Sequence, residues 1–170
     1  MKAIGVDPGK SGALALVERV NGLSVLREAI DIPLMGSGPT EEVDALEIIR
    51  WIVATKADHA FVEKVHAQPA MRGGERHGMG ASSAFRFGAS FGALKACVVG
   101  CRVPMTLVTP QAWKKHYSLP GVSVDPQAKE RARALAIARF PAAAELLRRK
   151  KDHQRGEAAL IALYGLGLHG

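Results

Sequence analysis

The chain has 170 residues, 48% of them hydrophobic and 23% charged, which suits one soluble domain with its own core and leaves no place for a fibrous or low-complexity protein. No apolar run approaches the ~20 residues of a membrane-spanning helix, and the start Met1 to Asp7 turns acidic too soon for a signal peptide. The formal charge is +7, and Lys129 to Arg155 alone holds nine Lys and Arg against three Asp and Glu, a bias that favours a polyanion such as nucleic acid as partner.

In chain order, residues 2–7 read as a strand buried on both faces, ending in Asp7 and the turn Gly9-Lys10-Ser11-Gly12. Residues 13–18 form a second strand. Asn21-Gly22 is a strong hairpin turn into a third strand over Leu23 to Ile30. Pro33 to Pro39 is a loop. Thr40 then caps a helix through about Thr55, with Glu41 and Glu42 in its first turn and an apolar stripe of Val43, Leu46, Ile49, Ile52 and Val53. Ala60 to Glu63 is strand four. His66 to Gly80, rich in glycine, arginine and histidine, breaks the pattern and reads as an exposed functional loop.

A helix over Ser82 to Val99 and strand five at Met105 to Val108 follow, then a short helix from Pro110 to His116. Asp125-Pro126 opens a helix that Pro141 stops, Ala142 to Leu147 is a short helical piece, and the last helix begins near Arg155. Three tightly linked strands followed by alternating helix and strand imply an α/β fold. The sheet is then mixed and five-stranded, antiparallel first and parallel afterwards, with helices on its flanks. Cys97 and Cys101, one helical turn apart, read as reduced core thiols and point to a cytoplasmic protein.

Four acids lie where these elements begin or end. Asp7 and Glu63 close strands one and four, whose ends as parallel neighbours lie ~5 Å apart, so that both carboxylates could approach one ion. Asp152 and Glu157 flank the start of the last helix. Carboxylates leaving water need compensation, and a divalent cation supplies it with the oxygen ligands it prefers.

The stretch Ile4-Gly5-Val6-Asp7-Pro8-Gly9-Lys10-Ser11-Gly12 resembles the opening of RuvC-type Holliday junction resolvases, which belong to the RNase H-like superfamily. Phe61-Val62-Glu63-Lys64-Val65 resembles the family's second acidic motif. Lys150 to Ala162 resembles its C-terminal motif in the form seen in phage and prophage members. The resemblance spans Ile4 to about Leu166 and implies a single RNase H-like nuclease domain over 1–170. It further implies a structure-selective endonuclease, acting as a homodimer on four-way or otherwise branched DNA with two Mg²⁺ (or Mn²⁺) ions per site.

Asp7, Glu63, Asp152 and Glu157 would be the catalytic acids and metal ligands. The last motif departs from the usual bacterial spacing of two acids three apart. Its penultimate ligand is Asp152, favoured by the oxygen preference of Mg²⁺, or His153, favoured by i, i+4 spacing to Glu157; Asp152 is taken here, with His153 beside the ions. The resemblance places the DNA on a basic face, for which Lys114, Lys115, Lys129, Arg148, Arg149, Lys150, Lys151 and Arg155 are the candidates, with Arg72 and Arg76 reaching the junction from the 66–80 loop.

Gly88, Gly92 and Ala96 recur every four residues and suit close helix packing, on this domain's own sheet or at a two-fold interface. Gly88-Ala89-Ser90-Phe91-Gly92 copies a serine-hydrolase motif but lies inside a helix, not at a strand-to-helix elbow. Two other readings stay open: a nuclease of the same fold acting on hybrids or flaps, and a non-catalytic nucleic-acid-binding protein.

Overall fold

In the computed structural model, residues 1–38, 41–65, 69–72, 75–78, 80–121 and 127–168 are described, with backbone alone for 69–72 and 75–78. Three strands open the chain, β1 (Lys2–Asp7), β2 (Ala13–Val20) and β3 (Leu23–Asp31), and pair as an antiparallel meander. Asn21 and Gly22 both hold positive φ, 51° and 79°, the backbone that a two-residue hairpin demands. A small ribbon, β4 (Leu34–Met35) with β5 (Glu42–Val43), leads into α1 (Ala45–Thr55) and β6 (His59–Glu63).

The chain continues through β7 (Pro69–Arg72), β8 (Glu75–Gly78), α2 (Ala81–Gly100), β9 (Met105–Val108) and α3 (Pro110–His116). It ends with α4 (Gln127–Arg139), two 3-10 segments (Pro141–Leu147 and Lys150–Asp152) and α5 (His153–Leu168). The main sheet runs β3-β2-β1-β6-β9, with β1, β6 and β9 parallel, so the expected mixed five-stranded sheet is present.

Three boundaries differ from the sequence reading. Asp44, not Thr40, caps α1, its side chain accepting from the Glu47 N–H at 3.1 Å; Thr40 lies outside the described residues. Val43 is drawn into pairing with Leu34, so the helix cannot start earlier. The 66–80 segment was expected to be structureless, yet β7 and β8 pair within it, because backbone pairing needs no apolar period. The last helix starts at His153 rather than near Arg155, since the preceding 3-10 turn feeds straight into it. Asp125 and Pro126 lie outside the described residues.

Alternation along each strand decides what faces each side of the sheet. Ile4, Val6, Leu14, Leu16, Ala60 and Val62 face α1 and α2, joining Ile48, Ile52, Leu94, Cys97 and Val98 in one buried cluster. Ala3, Ala13, Ala15, Phe61 and Val108 face the other way, against Trp113 of α3 and the apolar sides of α4 and α5. That second face is lined with small residues where α5 crosses β1. A Cβ at Gly5 would sit 1.9 Å from the carbonyl oxygen of Ala158, so only glycine lets the helix backbone rest on the strand. Among the described residues no helix is long and apolar enough to cross a membrane.

Candidate active site

Asp7 and Glu63 share the parity of Gly5 and Phe61, so both point to the α5 side of the sheet. Val6 pairs with Val62 across β1 and β6, which sets the two acids beside each other at the carboxyl ends of adjacent parallel strands. Both are buried, each 8% exposed. The turn after Asp7 is held tight by the Gly12 N–H donating to the Gly9 carbonyl at 3.0 Å. A Cβ at Gly12 would meet the Asp7 carbonyl oxygen at 2.1 Å, so this turn folds back onto the acid only with glycine there. Because α5 lies on β1 at Ala158, its preceding residue Glu157 reaches the same end of the sheet.

The three carboxylates perturb one another. Burial raises the pKa of Asp7 well above the usual range, and the charges of Glu157 and Glu63 add to it; Lys114 and Lys129 oppose. Burial also raises Glu63, aided by Glu157 and resisted by a hydrogen bond from Trp113 and by Lys114. Glu157 is raised by burial and eased by Lys114 and Lys129. The Trp113 Nε1–H donates to Glu63 Oε1 at 2.9 Å, and the Lys114 ammonium stands 3.9 Å from Glu157 Oε1 and over the Trp113 ring at 5.2 Å. Sequence reasoning missed Trp113; a tryptophan on a short helix beginning at Thr109-Pro110, at the mouth of strand five, was the available signal.

A cavity of about 190 Å³ opens between the first turn and α5, lined by Asp7, Pro8, Ser11, Gly12, Lys129, His153, Gln154 and Glu157. His153 Nδ1 lies 3.2 Å from the Lys150 carbonyl, which can only accept, so Nδ1 carries the proton. The other ring nitrogen, Nε2, is buried without a hydrogen-bond partner.

Asp152 stands in different company. It is 1% exposed, and the Arg149 backbone N–H donates to its Oδ2 at 2.8 Å while Arg149 Nη2 pairs with Oδ1 at 2.6 Å. Arg155 Nε approaches Oδ1 at 3.8 Å, and Asp31 at the end of β3 pairs with Arg155 at 2.6 Å and with Arg149 at 3.6 Å. Burial works to raise the Asp152 pKa, but the hydrogen bonds and charge of Arg149 outweigh it and hold the carboxyl below its ordinary value. Its oxygens are committed to arginines, not turned to the cavity that holds Asp7, His153 and Glu157.

The basic candidates divide in the same way. Lys129 lines the acidic cavity, and Lys114 with Lys115 lines a second one of about 530 Å³ beside Ser118 and Leu119. Lys150 and Lys151 are exposed. Arg149 and Arg155 are tied into the pairs with Asp31 and Asp152, and Arg148 pairs with Glu145 at 2.9 Å. The side chains of Arg72 and Arg76 lie outside the described residues, as does His66.

Oxygen donors with one imidazole nitrogen suit a divalent cation of the Mg²⁺ or Mn²⁺ class. Among the described residues no three His, Cys, Asp or Glu side chains form a ready-made ion cage. The raised carboxylate pKa values and the orphaned imidazole nitrogen nevertheless make the donor set fit, since a divalent cation would relieve the clustered acids and give His153 Nε2 the partner it lacks.

No protein-family model matches the sequence, and no curated protein matches it. Solved structures do. Thermus thermophilus RuvC in complex with a Holliday junction substrate superimposes with a TM-score of 0.63 at 18% identity, covering 96% of this chain and 91% of that one. A further structure of T. thermophilus RuvC gives 0.63 at 17% identity, over 96% and 92%. The fowlpox virus Holliday junction resolvase gives 0.62 at 12% identity, over 99% of each chain. Identities this low establish the fold alone, a RuvC-like RNase H fold.

Proposed function

We propose that this chain is a divalent-metal-dependent endonuclease that resolves four-way DNA junctions as a homodimer. The observation that carries the reading is the meeting of Asp7, Glu63 and Glu157, from β1, β6 and α5, in one largely buried cluster of carboxylates with raised pKa values beside lysines. A purely structural cluster would have no use for three carboxylates that oppose one another's ionisation.

The proposed ion ligands are Asp7, Glu63, Glu157 and His153, with Asp152 moved from ligand to support. Mg²⁺ or Mn²⁺, as one or two ions, would supply the acidity that turns a water into a nucleophile and steadies the leaving oxygen of a phosphodiester. The rest falls to the chain itself. Trp113 fixes one oxygen of Glu63 and so sets its rotamer. The Lys150 carbonyl holds His153 Nδ1, which leaves the lone pair of Nε2 for the ion. Lys129 and Lys114 balance the acids before DNA arrives and offer cations to the incoming phosphate. The exposed Lys115, Lys150 and Lys151 extend the basic face, and Arg72 and Arg76 remain proposed junction contacts.

A homodimer fits the outer face of α2. Phe85 and Val99 are 78% and 60% exposed there, and Cβ atoms placed at Gly88 and Gly92 would meet nothing within 4 Å. A two-fold partner on that face would set two centres on one junction. With no membrane-crossing helix among the described residues, a cytoplasmic site of action fits a DNA substrate.

The test is a labelled four-way junction incubated with and without Mg²⁺, beside an RNA–DNA hybrid and a flap. Paired cuts in the junction that need the ion, and that disappear in Asp7→Asn while junction binding persists, are the expected result. Cleavage retained in Asp7→Asn, or preference for the hybrid, overturns the reading.

A further inference from the structure

The face of α2 that packs onto the sheet changes character along the helix. Leu94, Cys97 and Val98 are buried in the core. Toward the N-terminus the same stripe continues at helical spacing as Ser90, Phe87, Arg86 and Ser83, and these line an open cavity of about 400 Å³ with Pro8, Gly9, Lys10 and Ser11 of the first turn. A helix face built only for packing would stay apolar to its end. This one turns to hydroxyls, a guanidinium and a single aromatic ring where it leaves the sheet. Phe87 marks the floor, one ring carbon lying 3.6 Å from the position of a Cβ on Gly9.

Two features tie this cavity to the acidic one. Both are lined by Pro8 and Ser11, so they open on either side of one turn. Its charge is also opposite. Lys10 and Arg86 are its cations; Lys10 pairs with Glu41 at 3.2 Å, and Arg86 donates to Ser82 Oγ at 3.0 Å, leaving further guanidinium donors. Its volume lies within the ~300–1,000 Å³ of cavities that hold small organic ligands.

A cationic rim, hydroxyls and one aromatic face are the groups that hold a nucleotide, with the phosphate on the cations and the base against the ring. The geometry points to a nucleotide subsite: this cavity seats the residue of the DNA strand adjacent to the phosphate being cut, with Phe87 against its base and Arg86 and Lys10 at its phosphate. The assignment rests on the nuclease reading above. It gives work to Lys10 and to the polar first half of α2, neither of which lines the acidic cavity.

The experiment compares wild type, Phe87→Ala, Phe87→Tyr and Arg86→Gln on junctions from which single bases flanking the cut have been deleted one at a time. Affinity is measured without divalent ion and cleavage with Mg²⁺. One deletion should slow the wild type about tenfold, the scale of one base–aromatic stack. Phe87→Ala should lose a similar factor on the intact junction and nothing more on that abasic one, because both changes remove one contact. Phe87→Tyr keeps the ring and should behave as wild type. Arg86→Gln should raise KM and weaken ion-free binding while the base dependence remains.

A folded Phe87→Ala protein that cuts intact and abasic junctions in the wild-type ratio overturns the subsite. Should that variant not fold, unchanged affinity and KM in the exposed Arg86→Gln overturn it instead. A wild type that cuts junctions with no dependence on any flanking base sinks the subsite and spares the nuclease reading. A wild type that cuts no branched DNA sinks both.

Discussion

At the residue scale, the carboxylates divide into two kinds, and acidity separates them. Asp7, Glu63 and Glu157 hold their protons more tightly in the folded chain than they would unfolded, through burial first, with the charge of Glu157 adding to it at Asp7 and Glu63. Without ions, stability therefore falls as pH rises from the ordinary carboxylate range through these raised values, and the loss is complete once all three have ionised. Asp152 has the opposite sign: its contribution is present above the ordinary aspartate pKa and is lost as pH falls through its lowered one. The ion-free melting temperature should accordingly rise on going from pH 7 to pH 5. Mn²⁺ should raise it at pH 7 and by less at pH 5; a flat or falling ion-free curve contradicts the assignment. The same division predicts opposite phenotypes for two neighbours. Asp152→Asn should cost about 2 kcal/mol by removing the nearer of the two carboxylates that hold Arg149, with ion affinity largely kept. His153→Ala should leave stability near wild type and lower ion affinity about tenfold or more, by calorimetric titration. The sequence placed all four acids near one end of the fold but could not separate Asp152 from His153, because both lie at the start of α5. What separates them is Arg149 and Asp31, one of them 121 residues away in the chain.

At the element scale, the site exists because α5 lies on β1 with almost nothing between them. The five strands of the main sheet were legible from apolar runs and turn chemistry, and strand five was read to the residue, since a short apolar run bounded by turn residues carries a strong local signal even where, as here, it is only partly buried. The crossing of α5 was not legible. It depends on a glycine in a strand meeting alanines in a helix, and neither feature announces the other. The start of α1 failed for a related reason: Thr40 and Asp44 are both good caps, and only the pairing of Val43 with Leu34 decides between them. Gly5→Ala tests the crossing directly. Its Cβ would lie 1.9 Å from the Ala158 oxygen and 2.7 Å from the Ala162 nitrogen, both backbone atoms that cannot swing aside. The helix must lift, at a cost of about 3 kcal/mol or more, and Glu157 moves with it. Urea denaturation should show that loss, and any folded fraction should bind Mn²⁺ more weakly than wild type. A Gly5→Ala protein as stable as wild type would mean that α5 is seated otherwise.

At the scale of the whole molecule, the proposed activity asks for two centres, because one would make one cut and resolving a junction takes two. The outer face of α2 is where a second copy would fit, and its glycines make the test unusually clean. Gly92 meets nothing within 4 Å, so a side chain there fits the monomer and should raise helix propensity by up to about 1 kcal/mol. In a close helix-to-helix interface the same side chain has no room. Gly92→Glu should therefore leave the monomer folded, with an unchanged or higher melting temperature, and shift sedimentation from dimer to monomer. On a four-way junction that variant should nick one strand without the paired, symmetric cut. Packing and charge on this face act in opposite senses on the two states, so the result cannot be mistaken for unfolding. If Gly92→Glu still sediments as a dimer and still cuts in pairs, the partner sits on another surface, and the exposed Phe85 and Val99 need a different explanation.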